Sequence, residues 1–92
     1  MNKDRIKTFA DRVYRDVSGA MVTGMADIGT RTGLFRAMAG QGAMSVGDLT
    51  AATGLQARYV QEWLAGMTAA EYLEYDPEAE TFTLPDEHAY LL

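Results

Sequence analysis

The chain has 92 residues, of which 48% are hydrophobic and 10% aromatic, with 8 Lys or Arg against 13 Asp or Glu and no Cys. This length and composition favour one folded domain with a modest core, and they exclude a disordered chain, a disulfide scaffold and a cysteine metal site. The net charge of −5 is divided unevenly, since residues 1–36 carry 7 bases and 4 acids whereas residues 37–92 carry one base and 9 acids.

An amphipathic helix is predicted over residues 3–18, because apolar side chains recur there at helical spacing opposite a charged face. These apolar side chains are Ile6, Phe9, Val13 and Val17. Ser18 is the expected N-cap or bend before a second helix over residues 19–29. The same N-terminus is charged and lacks the apolar core of a secretion signal, and no apolar run is long enough to span a membrane. We therefore expect a cytoplasmic protein without membrane contact.

The second predicted helix is apolar all round its axis, which requires burial on more than one side. Its glycines, Gly19, Gly24 and Gly29, would be tolerated where another helix packs closely. A domain of 92 residues has little interior to surround such a helix, so we expect a partner. The predicted dimer or domain interface consists of Val17, Met21, Val22, Met25 and Ile28.

A helix-turn-helix is predicted in the middle of the chain. Thr32 is the expected cap of a short helix over residues 33–39, and a capping-box pattern at Ser45–Asp48 opens another over residues 46–53. Gly54 provides the turn into a longer helix over residues 56–70. On this helix, Trp63 and Tyr59 are expected in the core, against the segment that follows.

A β-hairpin is predicted next, since residues 72–75 and 81–84 alternate in polarity around a turn and Pro85 stops the second strand. Helices, a helix-turn-helix and a hairpin together indicate a winged helix. A further apolar stretch begins at residues 87–92, and we expect the chain to be a fragment of a longer protein.

The sequence offers little chemistry for catalysis. His88 is alone and Cys is absent, so neither a Cys–His pair nor a two-histidine metal site is possible. The acidic residues of the hairpin are expected to form a solvated face, and no glycine-rich dinucleotide loop is present. We therefore predict no catalytic, cofactor-binding or metal-ligating residue in this chain.

DNA binding, the usual role of a winged helix, is disfavoured by charge. DNA affinity depends on Lys and Arg that neutralise phosphates. The candidate recognition helix carries only Arg58, offset by Glu62, and from Glu71 to Glu87 the wing region has seven acids and no base. We expect no DNA partner, with a small DNA-binding transcriptional regulator kept as an alternative.

Residues 28–40, 49–64 and 72–89 form three ordered segments that resemble the N-terminal winged-helix domain of bacterial class I S-adenosylmethionine-dependent methyltransferases. Residues 28–40 are similar to the IGDRLGLYRALA segment of that group, and residues 49–64 look like its LAxxTGxxERYVREWL helix-turn-helix. Residues 72–89 resemble its GYVEYDPxxxxYTLPPEHA wing. The similarity covers nearly the whole chain.

This resemblance implies a non-catalytic domain that dimerises and closes over the substrate site. The methyl donor S-adenosylmethionine would bind a following Rossmann-like domain with an E/D-x-G-x-G-x-G loop, so the cofactor belongs to the parent protein and not to this chain. The expected partners are a second copy, through the N-terminal helices, and the catalytic domain in cis.

The predicted fold class is mainly α with a small β-hairpin: a winged helix-turn-helix preceded by N-terminal helices. Residues 1–30 are the predicted helical dimerisation segment, 31–88 the winged helix-turn-helix and 89–92 the start of a linker to the catalytic domain. Two alternatives stay open beside the dimerisation and substrate-capping function. One is a stand-alone protein-interaction module, and the other is the DNA-binding regulator.

Overall fold

In the computed structural model, which describes residues 1–92, the first helix, α1, runs without a break from Lys3 to Arg31. The side chain of Asn2 caps it by accepting a hydrogen bond from the Arg5 amide at 3.1 Å. The prediction of two helices separated at Ser18 is wrong. A serine or glycine inside a helix costs at most about 1 kcal/mol relative to alanine, which is too little to interrupt a helix whose flanking turns favour it.

Most of α1 projects from the rest of the molecule. Its 29 residues correspond to about 43 Å of helix, and the molecule is 55 Å long but only 26–29 Å across. From Lys3 to Met21, every residue except Ala10 is exposed. Only the C-terminal third of α1 therefore contacts the body of the domain.

The body begins with three helices: α2 (Leu34–Met38), α3 (Val46–Thr53) and α4 (Ala57–Ala69). Thr32 ends α1 and does not start α2, whose N-cap is Gly33 in the left-handed region at φ 80°. That conformation is available to glycine without strain, so the α1–α2 corner is tight. The predicted capping box is confirmed, because Ser45 and Asp48 each accept from the other's backbone amide at 3.0 Å.

A two-stranded antiparallel hairpin and a short helix complete the fold. Strand β1 (Glu74–Asp76) pairs with β2 (Thr81–Thr83), with Tyr75 opposite Phe82. Met44 extends this wing through two backbone hydrogen bonds of 2.8 Å with Phe82. Helix α5 (Asp86–Leu91) follows Pro85.

The core lies where α2, α3 and α4 meet the wing. It consists of Leu34, Phe35, Met38, Leu49, Val60, Trp63, Leu64, Met67, Leu73 and Leu84. The fold class is thus confirmed: a mainly helical chain with a small hairpin, arranged as a winged helix-turn-helix behind one N-terminal helix. None of the helices combines the length and the apolar character needed to cross a membrane.

Candidate association surface

The C-terminal third of α1 is fixed to the body by α4. The indole Nε1–H of Trp63 donates to the backbone oxygen of Met25 at 2.9 Å. Gly29, the one buried residue of α1, lies against the rings of Trp63 and Phe35, which meet edge-on with centroids 5.1 Å apart. The absence of a side chain at Gly29 permits this close crossing, as expected for a glycine beneath another helix. Trp63 therefore lies in the core, as expected, and packs against α1 and α2.

The five residues predicted as an interface separate into two groups. Val22 and Met25 are half-buried against the core, and the Met25 side chain lies on Gly66 of α4. Val17, Met21 and Ile28 lie on a different face of α1 and are exposed. The structure thus places three of the five on a free surface and uses the other two to attach α1 to the body.

The exposed apolar surface also extends to residues that the sequence analysis did not assign to an interface. Ile6, Phe9 and Val13 continue the row of Val17, Met21 and Ile28 towards the N-terminus. Ile6, Val17 and Ile28 are spaced by 11 residues, which is three turns of helix, so the row stays on one face. We name these six residues the α1 stripe. Reading residues 3–29 as one helix would have revealed it.

The α1 stripe is unusual because it faces water. Its six side chains are between 39% and 68% exposed, although a helix normally turns such a face towards a core. Contiguous apolar surface of this kind is uncommon on monomeric proteins. No atom of the described chain covers it.

An open groove of about 580 Å³ lies beside the C-terminal end of the α1 stripe, between α1 and the start of α4. Its lining is mostly apolar and includes Ile28 itself. The apolar lining residues are Met25, Ile28, Leu34, Leu55, Tyr59, Val60 and Trp63. Tyr59 is 66% exposed on the groove edge, so the prediction that it packs in the core is wrong.

The exposed side of α4 has little free positive charge. Arg58 forms an ion pair with Glu62 over 3.5 Å, and both side chains are largely exposed.

His88 donates Nδ1–H to the backbone oxygen of Tyr72 at 2.7 Å, which ties α5 to the start of the wing. No group of three or more acidic or histidine side chains is arranged to hold a metal ion.

The helices α3 and α4, joined at Gly54 and followed by the hairpin, define a winged helix-turn-helix domain. The chain belongs to the Rv2258c-like winged HTH domain family, whose model matches residues 20–92. The matched region begins inside α1, so four of the six residues of the α1 stripe precede it. A comparison with curated proteins finds no significant match.

Proposed function

We propose that the chain is a non-catalytic association domain of an S-adenosylmethionine-dependent methyltransferase, which forms a homodimer through α1 and caps the substrate site of a following catalytic domain. The exposed α1 stripe carries the association part of this proposal. The three segments that resemble methyltransferase N-terminal domains support the enzymatic part. In the proposal, S-adenosylmethionine and the catalytic groups belong to the following domain.

The energetics favour association through α1. Each large side chain that is about half exposed offers roughly 100 Å², so the α1 stripe leaves about 600 Å² of apolar surface per chain in water. At about 25 cal/mol per Å², covering it would stabilise a complex by at most about 15 kcal/mol per chain. Association costs on the order of 4–15 kcal/mol for lost freedom. Two stripes buried against each other therefore offer enough apolar surface to offset this cost.

The association part is tested with Val17→Glu, because Val17 is exposed at the middle of the α1 stripe and glutamate favours helix more than valine does. The matched control is Thr8→Glu, an equally charged change on the opposite, polar face of α1. Sedimentation equilibrium should show a dimer for the wild type and for Thr8→Glu. We expect Val17→Glu to dimerise at least about 100-fold more weakly, because it buries an unpaired charge. A monomeric wild type at high concentration would overturn this part.

The methyltransferase part is tested separately on the native, untagged protein. Its intact mass should be well above 10.1 kDa, and its further sequence should contain a glycine-rich methyl-donor loop. Binding of S-adenosylmethionine to that protein by calorimetry is the expected result. A native mass of 10.1 kDa would overturn this part and, with dimerisation intact, identify a stand-alone interaction module.

DNA binding is the second candidate function, because the winged helix-turn-helix fold places α4 where a recognition helix would enter the major groove. The charges weigh against it, since Arg58 is paired with Glu62 and the wing is acidic. The test is fluorescence anisotropy with labelled duplex DNA at two salt concentrations. Tight binding that weakens steeply with salt would establish this function in place of the first.

A further inference from the structure

We infer that two copies of the chain pair through antiparallel α1 helices related by a two-fold axis near Val17. This inference deepens the proposed function, on whose homodimer it rests, by specifying the partner and its direction. Val17 is the middle residue of α1, which runs from Lys3 to Arg31. The face used is the α1 stripe, so the α4-bound face of α1 keeps its contacts with the body.

The two faces of α1 are far enough apart for both contacts to exist at once. At 100° per residue, Val22, Ala26 and Gly29 lie on the side of α1 that meets the body. Val17 and Ile28 lie about 100° or more from each of these three residues around the helix, and Gly24 lies within about 40° of both. Met25, which also contacts α4, lies about 60° from Ile28, at the boundary between the two faces. A second helix can therefore lie along the α1 stripe without displacing α4.

The sequence matches itself in the antiparallel direction. An axis near Val17 places Ile6 opposite Ile28 of the second copy, and Val17 opposite Val17. The small residues Ala10 and Gly24 face each other, which lets the helix backbones approach closely between the larger pairs. A Cβ at Gly24 would meet nothing within 4 Å in the single chain, so the space beside it is free for the partner.

Charge selects the antiparallel direction over the parallel one. Residues 1–15 carry five Lys or Arg and two Asp, whereas residues 16–31 carry two Asp and one Arg. A parallel pair would place two positive segments side by side. An antiparallel pair places each positive segment beside the weakly negative segment of the other helix, and it also aligns the helix dipoles favourably.

The arrangement also covers the groove between α1 and α4. Ile28 belongs both to the α1 stripe and to the groove lining. Ile6 of the second copy, which lies opposite Ile28, would lie along this edge. The α1 stripe supplies about 600 Å² per chain, and the groove edge brings the contact near the roughly 800 Å² that each partner contributes to a standard interface.

Disulfide trapping tests the direction, and the chain has no native Cys to interfere. Ile6→Cys and Ile28→Cys are prepared separately and mixed in equal amounts, one of them isotopically labelled. In an antiparallel dimer, the two Ile6 positions are about 33 Å apart along the helices, so each variant alone cannot form a disulfide. The mixture should form the 6–28 disulfide in up to about half of the dimers, since random exchange makes half of them mixed.

The control is a mixture of Asp11→Cys and Thr23→Cys, which lie at matching heights in the same dimer but off the stripe and are expected not to cross-link. Disulfides in each variant alone, without the 6–28 product, would overturn the antiparallel inference and leave the homodimer standing. A chain that sediments as a monomer would overturn the homodimer itself. Non-reducing electrophoresis and mass spectrometry identify the disulfides, and sedimentation equilibrium identifies a monomer.

Discussion

Adding one methyl group at Gly29 should destabilise the domain. A Cβ built there would lie 2.6 Å from Cζ2 of Trp63 and 2.7 Å from Cε2 of Phe35, far inside an ordinary carbon–carbon contact of about 3.5–4.0 Å. Neither ring can move away freely, since Trp63 and Phe35 are 5% and 4% exposed and are packed edge-on. The Trp63 indole is held further by its hydrogen bond to Met25.

The size of this effect follows from two opposing contributions. Overpacking a tight core costs about 1–3 kcal/mol, and contacts as short as these place Gly29→Ala at the upper end. Replacing glycine by alanine inside a helix stabilises the helix by about 1 kcal/mol. We expect a net loss of about 2 kcal/mol in the free energy of unfolding, equivalent to roughly 8–16 °C in Tm for a domain of this size.

Gly19→Ala is the matched control, because it makes the same chemical change inside the same helix where a Cβ would meet nothing within 4 Å. It should keep or raise stability by up to about 1 kcal/mol. Urea unfolding followed by circular dichroism, at one protein concentration for all variants, measures both. If Gly29→Ala is as stable as Gly19→Ala, then α1 does not cross α4 at Gly29 and the docking of α1 described above is wrong.

Three further predictions concern single contacts. Gly24→Leu should weaken dimerisation at least about tenfold by sedimentation while Gly19→Leu does not, and stronger association of Gly24→Leu would contradict a close approach of helices there. Ser45→Ala should lower stability by about 1 kcal/mol in urea unfolding because it removes the capping box, and an unchanged midpoint would refute that role. Trp63→Phe should lower the free energy of unfolding by about 1–3 kcal/mol, since it removes ring volume and the hydrogen bond to Met25. Amide hydrogen exchange should then become faster in the C-terminal third of α1. Unaltered exchange would show that this hydrogen bond does not hold α1 in place.

The body of the domain could be predicted from the sequence because its signals are local. Ser45 and Asp48 fix the start of α3 three residues apart, and Gly54 ends that helix in the left-handed conformation. The spacing of apolar residues then places Trp63 and Leu64 in the core. The capping contacts lie within one turn of the residues that predict them, and the burial of Trp63 and Leu64 follows from the apolar spacing of α4 itself.

The course of α1 and the identity of its free face could not be predicted in the same way. Serine is a common helix N-cap, but its capping preference is only about 1 kcal/mol, so long-range packing of residues 22–29 decides the outcome. Which apolar face meets α4 depends on where glycine permits a close crossing, and that is visible only once Gly29 lies under Trp63. For the same reason Met25, which was expected at an interface, is half-buried against the core, and Tyr59, which was expected in the core, is exposed.

The attachment of α1 near Gly29 makes this helix a lever arm. Lys3 lies 26 residues beyond that pivot, or about 39 Å at 1.5 Å per residue. A tilt of 10° at the joint therefore moves the free end by about 7 Å, more than one helical turn. Small rearrangements where α2 and α4 hold the last third of α1 are therefore amplified along the helix in proportion to its length, and the orientation of whatever the tip contacts depends on that packing.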